Sequence, residues 1–155
     1  MSRHQGRLRP ALHAPTEPLP WDALFETARA ARDHAVAPYS GFKVGAAVLA
    51  GSGRLWSGCN IEISSLGLTC CAERVAVFKA LSEGETLLRA CAIVTSIEPP
   101  AAPCGACRQV LSDFGQDLVV GLESAAPDAA LRTRELHPLS DLLPRGFRPS
   151  DLHRR

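Results

Sequence analysis

No apolar run in the 155 residues reaches the length needed to cross a bilayer, about 20 residues. No stripe of lysine and arginine runs through the body of the chain, and the formal net charge is only +1. A protein that grips a phosphate backbone needs such a stripe, so polymeric nucleic acid is a poor fit as a partner. The opening stretch, MSRHQGRLRPALHAPTEPLP, lacks the apolar segment of a secretory signal. It is basic and proline-rich, and reads as a flexible tail over residues 1–20. There is no internal repeat, and residues 21–155 show no composition break, so they read as one domain. With no export signal the expected compartment is the cytoplasm, where thiols stay reduced and disulfides are improbable. The six cysteines, Cys59, Cys70, Cys71, Cys91, Cys104 and Cys107, then point to metal binding or catalysis.

Hydrophobic residues make up 46% of the chain, ordinary for a globular domain of this length. Trp21, Leu24, Phe25, Ala28, Ala31 and Ala35 recur at helical spacing, which predicts a helix from Trp21 to about Ala37, ended by Pro38. FKVGAAVLA and RLWSGCNI are β-like runs joined by GSG, a hairpin signal. After a loop, a helix opens near Cys71. Its residues Val75 to Leu81 are apolar nearly all round, which predicts a central, buried helix. LLRACAIVTSI reads as a buried strand and CGACRQVLSDF as a helix stopped by Gly115. LVVGL and ALRTREL read as short strands, the second closed by Pro138, and LSDLLPRGF as a short helix and a turn. The order of elements predicts an α/β fold, a mixed sheet of five strands sandwiched between helices.

Two clusters stand out chemically. TCCAER places Cys71 and Glu73 at one helix start, and PCGACRQ places Cys104 and Cys107 at another. Helix N-termini favour anions and so help keep sulfurs deprotonated, and soft thiolates at this spacing suit zinc. Two arrangements satisfy these residues. One is a closed structural site with a fourth ligand from Cys59 or Cys70. The other is an open site, with three thiolates and a fourth position left for water, the mark of a catalytic zinc. On a helix Cys70 would point roughly a quarter-turn from Cys71, toward the core; Cys59 and Cys91, in strand-like runs, read as small core hydrophobes. Glu73, two residues beyond Cys71, is placed to shuttle protons without ligating.

A His or Cys, a Glu two residues on, then Pro-Cys-x-x-Cys is the signature of zinc-dependent base deaminases. The blocks YSGFKVGAAV, GCNIE, GLTCCAER, PCGACRQVL and LLPRGF occur together and in order. From about Tyr39 to Leu152 the sequence resembles the cytidine deaminases, specifically the small type with three cysteine ligands. The resemblance implies the open zinc site, one Zn²⁺ per chain, with Glu73 as the catalytic proton carrier. It implies that Arg74 offsets the surplus charge of three thiolates on one Zn²⁺. It also implies a substrate-binding set of Phe42, Asn60, Glu62, Ala72 and Phe147. Asn60 and Glu62 would bind the ribose 3′-hydroxyl, Phe42 would lie against sugar and base, and the backbone near Ala72 and Cys104 would hold the base edge. Phe147 would stack on the base in a neighbouring subunit's site, where a bland alternative is an anchor for the tail. The family pattern implies a cytoplasmic homotetramer with shared sites, acting on nucleosides in pyrimidine salvage. Leu66 stands where many relatives have tyrosine, a departure that bears on subunit assembly. Three rivals share some of these features: a polynucleotide-editing deaminase, a blasticidin-type deaminase and a non-enzymatic zinc module. A hook on the 3′-hydroxyl disfavours the first, NIE together with CAER the second, and an open metal position the third.

Overall fold

The computed structural model describes residues 18–125, 128 and 131–153. Residues 1–17 of the expected tail lie outside the described residues. The elements run α1 (Trp21–Asp33), β1 (Gly45–Ala50), β2 (Leu55–Cys59), α2 (Ala72–Ser82), β3 (Leu88–Thr95), α3 (Gly105–Phe114), β4 (Val119–Ser124), β5 (Arg134–Pro138) and α4 (Leu139–Leu142). Short 3-10 turns occupy Leu66–Leu68 and Pro149–His153. The five strands form one mixed sheet in the order β2-β1-β3-β4-β5, as the sequence pattern predicts.

Strand directions explain where a site can form. β1 pairs antiparallel with both β2 and β3, so β2 and β3 run the same way. β3 and β4 pair in parallel. Each of β2 and β3 is followed by a helix, α2 and α3, which therefore both start at the same edge of the sheet. The carboxyl ends of parallel strands are the general location of sites in such sheets. The hairpin between β1 and β2 turns on Gly53, whose φ of 90° is left-handed and favours glycine.

Period-two alternation along the strands splits the core into two layers. Ala46, Val48, Cys91, Ile93, Val120 and Leu122 face α2 and α3, packing on Ala72, Ala76, Val77, Ala80 and Leu111. Ala47, Leu49, Ala90, Ala92 and Val94 face α1, packing on Leu24, Phe25 and Ala28. Burying a side chain such as Leu24 or Phe25 contributes about 1.5–3 kcal/mol. On the α1 side, Glu123 of β4 is fully buried, and its carboxylate accepts from Arg29 of α1 and, at 2.7 Å, from Arg134 of β5. A buried charge must be paired, and here two guanidiniums do it.

Three expectations need correction. α1 ends at Asp33, short of Ala37, because the chain leaves the helix to pair elsewhere: Val36 N–H donates to Asn60 O at 3.0 Å and Val36 O accepts from Glu62 N at 2.8 Å. α2 is not buried all round. Phe78 is 48% exposed and Val75 half-buried, since α2 covers one face of the sheet and turns its other side outward. The last strand is shifted to Arg134–Pro138 and includes Pro138, which an edge strand tolerates.

Candidate metal centre and active site

Cys71 is the N-cap of α2 and Cys104 the N-cap of α3, both in extended backbone, and Cys107 lies in the first turn of α3. Neither cap sulfur accepts from the backbone N–H groups of its helix's first turn. The three sulfurs lie within 4.8 Å of one another, and Cys71 and Cys104 are 3.9 Å apart. A tetrahedral zinc with bonds of about 2.3 Å sets its sulfurs about 3.8 Å apart, so the spacing fits. Cys107 is buried, Cys71 half-buried and Cys104 exposed, which gives the trio one closed side and one open side.

The neighbouring charge favours thiolates at the trio. Arg74 Nη2 donates to Cys71 Sγ at 3.5 Å and to Thr69 O at 3.3 Å, while its buried Nε has no partner. The Cys71 thiol is pulled down to about 5, chiefly because Cys107 donates to its thiolate, with Arg74 and Cys104 adding to the effect against the cost of burial. The Cys107 thiol is pushed up, first because it is the donor to Cys71 and then by burial. One sulfur of the trio is thus ionised readily, and a divalent cation would release the protons that the others hold. Three convergent sulfurs form a donor set suited to zinc, and the guanidinium beside them offsets the negative charge of the thiolates. Cys59 and Cys70 stand outside the trio and Cys91 is buried in the core. Cys70 does not turn into the core as its helical reading suggested. It lies just before α2, half-buried, and its backbone pairs with Ile61.

Glu73 sits in the first turn of α2 and is 5% exposed. Burial raises its carboxyl to about 6, helped by the charge on Cys71 and opposed by its own backbone N–H, by a bond from Cys107 and by Arg74. A carboxyl near neutral pH can both take and give a proton. Ala72, between Cys71 and Glu73, is fully buried.

Asn60, Glu62 and Phe42 form a second cluster. Asn60 Oδ1 accepts from Val44 N at 2.8 Å and its Nδ2 donates to Phe42 O at 2.8 Å. Glu62 accepts from Tyr39 N at 2.9 Å, from Ser40 N at 3.1 Å and from the Ser40 hydroxyl. These bonds, led by the Ser40 hydroxyl, hold the Glu62 carboxyl below its ordinary value. The strand assignment ends at Cys59, yet Asn60 and Glu62 both reach the 39–44 loop, as residues two apart in extended chain should. Ile61 between them exchanges two backbone bonds with Cys70, 2.9 and 3.0 Å, which ties this cluster to the residue beside Cys71. Phe147 is 57% exposed, with its backbone bonded to Gln109 of α3. Sequence reasoning missed Ser40, Thr69, Arg108 and Gln109. Each lies inside a quoted block, but none is a metal ligand or an ionised acid, so residue chemistry alone did not single them out.

The family model for the cytidine and deoxycytidylate deaminase zinc-binding region matches residues 21–122. The chain is 42% identical over 132 residues to a cytidine deaminase of Sporosarcina psychrophila, covering 84% of this chain and 93% of that one. It is 44% identical over 131 residues to a cytidine deaminase of Halalkalibacterium halodurans, covering 84% and 96%. Its fold superposes on the crystal structure of a cytidine deaminase from Burkholderia pseudomallei with a TM-score of 0.76 and 44% identity, covering 83% of this chain and all of that one. With a trio of thiols at two helix starts, a buried carboxyl beside them and this likeness along most of its length, the chain belongs to the cytidine deaminase family.

Proposed function

We propose that this chain catalyses hydrolytic deamination of cytidine and 2′-deoxycytidine to the uridine products and ammonia. The observation that carries the reading is the buried Glu73 carboxyl beside three convergent thiols. Cys71, Cys104 and Cys107 would hold the zinc, which when bound supplies the Lewis acidity that makes water a nucleophile near neutral pH. Glu73 takes one proton from the attacking water and passes it to N3 of the base, then takes the proton of the hydroxyl added at C4 and passes it to the amine, which leaves as ammonia as the C4 carbonyl forms. Arg74 offsets the surplus negative charge of the thiolates. The backbone at Ala72 and Cys104 holds the polar edge of the base, and Phe42 lies against the sugar.

Asn60 and Glu62 bind the ribose 3′-hydroxyl. Glu62 Oε2 accepts two bonds from the 39–44 loop, whereas Asn60 Oδ1 and Glu62 Oε1 accept one each and keep a second lone pair for a substrate donor. In a polymer that hydroxyl carries phosphate, so free nucleosides are the substrates. The assembly is a homotetramer in which Phe147 reaches a neighbour's site. The setting is pyrimidine salvage in the cytoplasm; among the described residues no helix is long and apolar enough to cross a membrane.

The test is ammonia release from cytidine by the purified protein, with metal analysis alongside. About one zinc per chain and activity that a chelator removes are expected. Undiminished turnover in zinc-free protein would overturn the reading.

A further inference from the structure

The C-terminal segment is fastened to the metal-bearing helix by two consecutive side chains. Arg108 Nε donates to Pro103 O at 2.7 Å and its Nη1 to Leu142 O at 2.6 Å, which joins the end of α4 to the residue before Cys104. Gln109, the next residue, grips Phe147 at both backbone positions. Its Nε2 donates to Phe147 O at 2.7 Å and its Oε1 accepts from Phe147 N at 3.2 Å. The same Nε2 donates to Asp113 Oδ1 at 2.9 Å, one turn along α3, so the carboxylate fixes which end of the amide points where. Gly146 completes the turn, since a Cβ there would lie 2.6 Å from Leu143 Cδ2.

Holding both the N–H and the C=O of one residue fixes its backbone, and with it the direction in which its Cα–Cβ bond leaves the chain. That side chain is a phenylalanine left 57% exposed, at the cost of keeping its ring in water. A ring that merely anchored the tail would be tucked against the body. We infer that Gln109 is a positioning residue, which sets the stance of Phe147 for substrate binding by clamping its backbone to α3. This rests on the reading of Phe147 as a substrate contact in a neighbouring site.

The experiment uses the full, zinc-loaded enzyme with Gln109→Met, Phe147→Ala and the double variant, each read as kcat, KM for cytidine, zinc content and Tm. Methionine keeps the length of the side chain and removes both bonds to Phe147, together with those to Ser112 and Asp113 within α3. Gln109→Met should raise KM roughly 3–10-fold, the weight of one to two hydrogen bonds, with kcat, zinc and Tm close to the parent's. In the Phe147→Ala background the same substitution should change KM little, because the two residues act through one contact. Gln109→Glu, which keeps the acceptor for Phe147 N but sets a carboxylate against Phe147 O, should raise KM at least as much and serves if the methionine variant folds poorly. If Phe147→Ala raises KM and neither Gln109 variant does, the clamp is overturned and the role of Phe147 survives. If Phe147→Ala leaves KM unchanged, the role of Phe147 fails and the clamp falls with it. An equal KM rise in both backgrounds, or a loss of zinc in Gln109→Met, places the effect in the metal helix and also overturns the clamp.

Discussion

Glu73 and Glu62 are both carboxyls near the chemistry, and their surroundings push them in opposite directions. Glu73, nearly buried, is raised to about 6 mainly by desolvation. Replacing it by glutamine keeps its size and its place in the helix, and removes the ionisable carboxyl. Glu73→Gln should therefore keep zinc and Tm while turnover falls by about 10²–10⁴, the usual weight of general acid–base catalysis; near-normal turnover in single-turnover assays would refute the role. Glu62 is lowered from its ordinary 4.5 by bonds it accepts, first from the Ser40 hydroxyl. A group with a lowered folded pKa favours the folded loop above its ordinary value and loses that contribution as pH falls through the lowered one. The amide NMR signals of Tyr39 and Ser40 should thus move through a transition whose midpoint lies below the ordinary 4.5. In Ser40→Ala the transition should move back up toward the ordinary value. A parent transition already complete at 4.5 would contradict the hydrogen-bonded loop.

Elements reach the site through close backbone approaches. At Gly58 of β2 an added Cβ would lie 2.4 Å from Ala76 N and 2.5 Å from Ala72 O, so the strand touches the first turns of α2 directly. Gly58→Ala must push α2 away, an overpacking that typically costs about 1–3 kcal/mol. Because α2 starts at Cys71, the shift should also weaken zinc retention. Tm and the zinc left after dialysis against a mild chelator check this, and a variant with lowered Tm but unaltered retention would separate the packing from the metal. At this scale the strands and helices were largely legible, since each carries its own period of apolar residues. The misses were places where tertiary pairing overrode local pattern. Val36 leaves the helical periodicity of α1 to bond Asn60 and Glu62, which no nearby residue announces. The outward side of α2 was hidden because Phe78 and Val75 are apolar yet face away from the sheet. For the site, the ligand types and spacing made the thiol trio and Glu73 legible. The hold of Ser40 on Glu62 and of Gln109 on Phe147 was not, because such bonds depend on where the backbone of distant segments comes to rest.

In the whole molecule, Phe147 is exposed and Glu73 nearly buried, and a shared-site assembly would make them complementary across chains. If Glu73→Gln and Phe147→Ala are each nearly inactive alone, co-expression in equal amounts should revive roughly a quarter of sites in a symmetric oligomer. Verified mixed oligomers that stay inactive would mean that Phe147 serves its own chain. The sheet topology that brings α2 and α3 to one edge has a further consequence, in time. Cys71 lies 33 residues before Cys104, and all of β3, the middle strand, lies between them. At about 5–20 residues per second, a ribosome takes roughly two to seven seconds to pass from one to the other. Throughout that interval the nascent chain presents Cys71 without Cys104 and Cys107, and one thiolate of the trio is a poor grip on any ion. The metal can be captured only once α3 has emerged and the central strand can be laid beside β1, so zinc uptake during synthesis marks the moment when the middle of the sheet is complete.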